Sequence, residues 1–252
     1  MRAGLRMWAV GTVCWALGLM LGAVSGVQAQ RLSGHAFMSP STQALQNDDA
    51  LNPAFLWVRD GQQRFEVGCA RCHSVASLRG VATRYPAWDA QAGKPVTLSS
   101  RIQLCQVRHV KAAPWAAESD GLLALEAYVA HQSRGQPIQP VSDPRLQSAL
   151  ALGAGLYRQR MGQLDLSCAQ CHDTHAGRRL GGSTIPQSHP TGYPLYRLEW
   201  QAVGSLHRRL RQCMNGVRAE PYAFASDELT ALELFLMNRA AGLPLETPAV
   251  RP

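Results

Sequence analysis

Cys69-Ala-Arg-Cys72-His73 and Cys168-Ala-Gln-Cys171-His172 are the two stretches on which the reading of this chain turns. Each matches C-x-x-C-H, the attachment signature of a c-type haem. Chemistry dictates the spacing. Two thiols add across the two haem vinyl groups, and the adjacent histidine then falls beneath the iron as its proximal ligand. With 7 Cys and 8 His in 252 residues, chance supplies only about 0.006 such matches. A zinc site built from the Cys-x-x-Cys pairs would leave both histidines unexplained. The sequence therefore predicts two covalently attached haem c groups, held by Cys69 and Cys72 and by Cys168 and Cys171, with His73 and His172 on the irons.

Working outward, the segments that follow Cys105 and Cys213 match one another. Pro114-Trp115 answers to Pro221-Tyr222, Ser119-Asp120 to Ser226-Asp227, Ala124-Leu125-Glu126 to Ala231-Leu232-Glu233, and Gly135 to Gly242. Each copy reads as haem signature, long loop, cysteine-bearing segment and helix. Ser119 and Ser226 are expected N-caps, and Gly135 and Gly242 expected stops. Leu122, Leu125, Tyr128 and Val129 recur at helical spacing, as do Leu229, Leu232, Leu236 and Met237, which marks core faces. Proline-rich sequence between the copies reads as an extended linker at 136–143, and a helix is expected near Arg145 to Arg160. The predicted fold is all-α, with tandem cytochrome c-like domains at 30–135 and 144–252 and a proline-containing tail over 240–252.

The first residues read as an export signal. Arg2 and Arg6 precede an uncharged apolar run from Met7 to Val24, and Val27-Gln28-Ala29 offers a cleavage site before Gln30. A signal peptide over 1–29 and export follow, an uncleaved anchor helix being the alternative, with no later segment able to span a membrane. Removing residues 1–29 lowers the net charge from +8 to +6. A basic surface attracts anions, but nothing here resembles a nucleic-acid module. Aromatic residues are only 7% of the chain, few for two ordinary cores, and a large apolar cofactor fills that gap.

The sixth iron ligand is where function shows. An electron-carrier cytochrome places methionine there, which raises the potential. Here Cys105 and Cys213 are the landmarks shared by both repeats that are able to bind iron. A Cys105–Cys213 disulfide is the alternative. Met38, Met161, Met214, His109, His175, His189 and His207 have no matched counterparts. A thiolate stabilises ferric iron, and it is a nucleophile if it leaves the metal. Arg209 lies one helical turn before Cys213, with Arg208, Arg211 and Arg218 near in sequence. A guanidinium donates paired hydrogen bonds to an oxyanion, so Cys213 and Arg209 are the expected catalytic pair. Arg208 and Arg211 are expected to face haem carboxylates or solvent. Arg101 precedes Cys105 at the same interval without the surrounding cluster.

These residues resemble SoxA, the dihaem subunit of the SoxAX cytochrome of bacterial thiosulfate oxidation. The specific stretches are Phe37-Met38-Ser39-Pro40, Gly80-Val81-Ala82-Thr83-Arg84-Tyr85-Pro86, His189-Pro190-Thr191-Gly192-Tyr193-Pro194, Tyr196 to Trp200, and Gly216 to Tyr222. The resemblance implies a heterodimer with the monohaem subunit SoxX. It also implies oxidative coupling of thiosulfate to a cysteine of the carrier protein SoxY, with two electrons passing through haem to a soluble cytochrome c. Carried over by position, Cys213 is the reactive distal ligand of the second haem, as a persulfide, Arg209 binds the sulfonate end of the substrate, and Cys105 is the distal ligand of the first haem. A plain dihaem electron carrier, a dihaem thiosulfate dehydrogenase and a dihaem peroxidase are the rival readings.

Overall fold

The computed structural model describes Met1 and residues 30–252. The expected signal peptide lies outside the described residues, and the account below concerns Arg31–Pro252, which form one compact unit. In chain order the helices are α1 (Pro40–Asn47), α2 (Phe55–Gly68), α3 (Leu98–Cys105), α4 (Asp120–His131), α5 (Gln147–Arg158), α6 (Leu206–Gly216) and α7 (Asp227–Arg239). The strands are β1 (Ala87–Asp89), β2 (Lys94–Val96), β3 (Arg179–Leu180), β4 (Ser183–Thr184), β5 (Leu195–Arg197), β6 (Ala202–Gly204) and β7 (Val250–Arg251).

The core is two helix pairs, α2 on α4 and α5 on α7. Helices α4 and α7 are apolar on most sides, which demands burial all round. Their partners α2 and α5 show a narrower apolar stripe, with Val58, Gly61 and Phe65 buried on one and Gly153, Leu156 and Tyr157 on the other. The duplication is exact enough to repeat individual contacts. A Cβ on Gly61 would stand 1.9 Å from the carbonyl oxygen of Ala124, and one on Gly153 2.0 Å from that of Ala231. Only glycine lets these backbones touch. One turn along, Phe65 meets Tyr128 at 5.3 Å and Tyr157 meets Phe235 at 5.2 Å, both ring pairs tilted by 46°.

Expected helix ends are found, with one change. Ser226 accepts from Leu229 N–H and caps α7. Ser119 occupies the N-cap of α4, but its hydroxyl makes no capping bond. Gly135 and Gly242 take positive φ, as stops should. The helix expected near 145–160 is α5.

The all-α expectation holds for the core and fails at its edges. Two hairpins, β1–β2 and β5–β6, precede α3 and α6, and β7 adds in parallel to β5. These strands span two or three residues, too few to show a period of two in sequence. Two segments read as loose are instead built in. Within the linker, Ile138 is 1% exposed and its carbonyl accepts from Gly242 N–H at 2.8 Å. In the tail, Ala249 and Val250 are fully buried. Apolar side chains bury these segments, and their backbone groups pair with each other because water is excluded. Among the described residues no helix is long and apolar enough to cross a membrane.

Candidate active site

In the second repeat the predicted residues converge. His172 lies in a wide turn over Gln170–Thr174. Its Nδ1 donates to the carbonyl of Pro186 at 2.7 Å. A carbonyl only accepts, so this bond fixes the proton on Nδ1 and leaves Nε2 as a lone pair, the tautomer a metal requires. Burial holds His172 below the ordinary histidine range, which keeps the ring neutral. His172 and Cys213 line one open cavity of about 970 Å³. Cys213 reaches it from α6, whose Leu206, Arg209, Leu210 and Cys213 also line it. That spacing of three and four is one helical face. Ser205 starts the helix by accepting from Arg208 N–H at 3.1 Å. The Cys168 thiol is pushed up to about 11 by burial first and then by the charge of Cys213, so the signature and the distal cysteine lie within electrostatic reach.

Of the four arginines clustered in sequence, only Arg209 lines this cavity. Its Nη1 donates to Gln212 Oε1 at 2.9 Å. Burial pulls its pKa down, and the charges of Cys213, Tyr193 and Glu199 outweigh that and raise it. Arg208 stacks on Trp200 at 4.2 Å and Arg211 on Phe224 at 4.6 Å. Both line a separate depression with Gln212 and Asn215, on the opposite face of α6 at about 100° per residue. Neither faces the cavity, since neighbours on a helix point apart.

The structure adds a cation that the sequence reading lacked. Arg197, on β5, lines the cavity too. Its Nη2 donates to Glu199 Oε2 at 2.7 Å, while its Nε is buried without a partner. Burial, and then the charge of Arg209, hold its pKa below the ordinary value. A signal for it existed. The run from Tyr85 to Cys105 repeats from Tyr193 to Cys213 without a gap, 108 positions on, and hairpin registers agree, with Ala87 opposite Val96 and Leu195 opposite Gly204. Arg101 thus answers to Arg209, and Asp89 to Arg197.

The first repeat brings its cysteines together in the same way. Burial raises the Cys69 thiol, and Cys105 and Cys72 add to the rise, so here too the distal cysteine lies near its own signature. Cys105 ends α3 where a wide turn over Gln106–Val110 begins. Cys72 is exposed, and so are Val67, Val75, Val107 and Val110, apolar surface that a bound porphyrin would cover. Arg101 and Arg108 both pair with Asp89, at 2.7 and 2.8 Å. Two hydrogen bonds from Arg108 lead the effects that hold the Asp89 carboxyl well below the carboxylate range.

All six described cysteines are free. Other candidate ligands have other employment. Met214 is buried in the core beside Leu229 and Leu232. Met38 lines the cavity, with its sulfur 3.7 Å from Arg251 Nη1. His189 also lines it, and its Nδ1 donates to the carbonyl of Leu32 at 2.6 Å. His207 Nδ1 accepts from Ala225 N–H.

A neutral histidine with a free Nε2, a cysteine on the same cavity and signature thiols alongside all fit a covalently held haem. Fold and site together define a c-type cytochrome. The SoxA/TsdA cytochrome c domain matches residues 56–138 and 152–245, and the chain belongs to that family. It is 38% identical over 231 residues to the L-cysteine S-thiosulfotransferase subunit SoxA of Pseudaminobacter salicylatoxidans, covering 87% of this chain and 80% of that one. It is 33% identical to the subunit of the same name from Rhodovulum sulfidophilum, over 87% and 79%. The crystal structure of SoxXA from P. pantotrophus superposes with a TM-score of 0.85 at 30% identity, covering 88% of this chain and 87% of that one.

Proposed function

We propose that this chain is the SoxA-type subunit of an L-cysteine S-thiosulfotransferase, with tandem haem domains at 30–135 and 144–252, working in the periplasm as a heterodimer with SoxX. The substrates are thiosulfate and a cysteine of SoxY. The carrier thiolate and thiosulfate join through a new S–S bond, giving a cysteine S-thiosulfonate and releasing two electrons. Haem c supplies the acceptor for those electrons, which pass on to a soluble cytochrome c. His73 and Cys105 hold one iron, and His172 and Cys213 the other.

One observation carries this reading: Cys213 and Arg209 share a helix face and open, with His172, into the same cavity. Arg209 orients the sulfonate end of the substrate by paired donors. Cys213, as a persulfide, joins its terminal sulfur to the sulfane sulfur of thiosulfate as the two electrons leave, and is regenerated when the SoxY thiolate takes over that sulfane sulfur with its sulfonate. The family also embraces TsdA, so a thiosulfate dehydrogenase joining two thiosulfates as tetrathionate is the second reading. Product analysis separates the two. With the SoxX-bound complex, oxidised cytochrome c and thiosulfate, we expect thiosulfonate on the SoxY cysteine and no tetrathionate when SoxY is omitted. Tetrathionate without SoxY would overturn the assignment, and peroxide turnover without thiosulfate would point to a peroxidase.

A further inference from the structure

The two repeats present the same backbone to their distal cysteines but opposite charges. At the third residue of the first hairpin stands Asp89, and at the equivalent place in the second stands Arg197. Asp89 is 2% exposed and pairs with Arg101, the counterpart of Arg209, as well as with Arg108. Arg209 has no such partner and donates to the neutral amide of Gln212. The carboxylate nearest to it in this network, Glu199, accepts from Gln212 at 2.7 Å and from Arg197 at 2.7 Å. Glu199 is 53% exposed, so water screens its charge, whereas buried Asp89 acts at full strength. The second cavity therefore leaves Arg209 without a carboxylate of its own and Arg197 on a screened one, where the first has a buried carboxylate shared by Arg101 and Arg108. Such groups stay together when an anion completes them. The orphaned Nε of Arg197 and its place on the cavity wall supply a donor for one.

We infer that Arg197 is a second substrate-binding residue, contacting the sulfonate end of thiosulfate together with Arg209, and that the exchange of Asp89 for Arg197 makes the second pocket the reactive one. The inference rests on reading the Cys213 cavity as the site. Gln212 and Glu199 act as positioning residues, because Glu199 ties Arg197 directly, and Arg209 through Gln212, into one array.

The test uses the SoxX-bound complex with Arg197→Ala, Arg197→Lys, Arg197→Asp and Arg209→Ala. It measures thiosulfate binding by calorimetry, KM and kcat with SoxY, haem content and haem potential. Losing one charge-assisted contact should weaken thiosulfate binding and raise KM about ten- to hundredfold, with kcat changed less. Arg197→Lys should recover part of the loss. Arg197→Asp, which recreates the pairing of the first repeat, should weaken binding more than either alanine variant. Unchanged binding in Arg197→Ala beside weakened binding in Arg209→Ala overturns the inference and leaves the site standing. A shifted haem potential with unchanged KM also overturns it, by making Arg197 a haem-carboxylate partner. Unchanged binding in both alanine variants would show that the cavity itself is not the thiosulfate site.

Discussion

Replacing Glu126 by glutamine should make the protein more stable at mildly alkaline pH and leave it unchanged in mild acid. Glu126 lies on α4 where the duplication sets Glu233 on α7, and both line a cavity of about 810 Å³. Its Oε2 is buried without a hydrogen-bond partner. Four neighbours face it: Glu233 from α7, Glu118 from the loop before α4, His207 from α6 and Ser99 from α3. His207 carries its proton on Nε2, since Nδ1 accepts from Ala225 N–H, and that nitrogen lies 3.3 Å from Glu233. Burial first, then repulsion from Glu233 and Glu118, pushes the Glu126 carboxyl from 4.5 up to about 8. Between those values the folded chain holds a proton that the unfolded chain has released. Stability therefore falls as pH rises through that window, with a slope approaching about 1.4 kcal/mol per pH unit, and levels off above the folded value. We expect a total of about 2–4 kcal/mol across the window. Urea unfolding of the mature holoprotein and of Glu126→Gln, at several pH values between about 5 and 8, reads the difference. The variant should match the natural chain at the acid end and exceed it by the full amount at the alkaline end. His131 and His189, held low chiefly by burial, give slopes of the opposite sign that cancel in the comparison. A difference that does not change with pH would refute the reasoning.

Three further outcomes follow from the same observations. Gly153→Ala should cost about 2–4 kcal/mol even after its gain in helix propensity, because its Cβ would press on the Ala231 carbonyl, and Gly61→Ala should cost the same; urea midpoints decide, and a stabilised variant would contradict the packing. Intact mass of the exported protein should show a chain starting at Gln30 with two haems that resist acidified organic solvent; extractable haem, or a different count, would count against the signatures. Arg209→Ala should cost about 2–4 kcal/mol in transition-state stabilisation with haem content unchanged, and Arg209→Lys should restore only part, as kcat/KM for thiosulfate will report.

What the sequence disclosed, and what it withheld, follows from how local each cause is. Haem signatures are readable because thioether chemistry fixes five consecutive residues. Helices α4 and α7 are readable because Leu122, Leu125 and Tyr128, like Leu229, Leu232 and Leu236, recur at helical spacing within a few consecutive turns. Arg197 was hidden because its role comes from the pairing of a three-residue strand, with β7 arriving from the far end of the chain. Arg208 and Arg211, close to Cys213 in sequence, lie on the other side of the helix against Trp200 and Phe224, contacts that no local pattern announces. The buried linker at Ile138 was unreadable because its partners, Gly242 and Leu243, lie a whole repeat away.

The central claim is that the two axial cysteines differ in chemistry, and that Cys213 alone is indispensable. Its most direct test is thiosulfate-dependent modification of the SoxY cysteine, followed by mass, with Cys213→Ala and Cys105→Ala complexes carrying their full haem complement. Cys213→Ala removes the nucleophile and should abolish transfer. Cys105→Ala should alter the first haem's spectrum and potential yet leave substantial activity, because its neighbour Arg101 is already committed to Asp89. Equal losses from the two variants would contradict the account and move the reaction centre elsewhere.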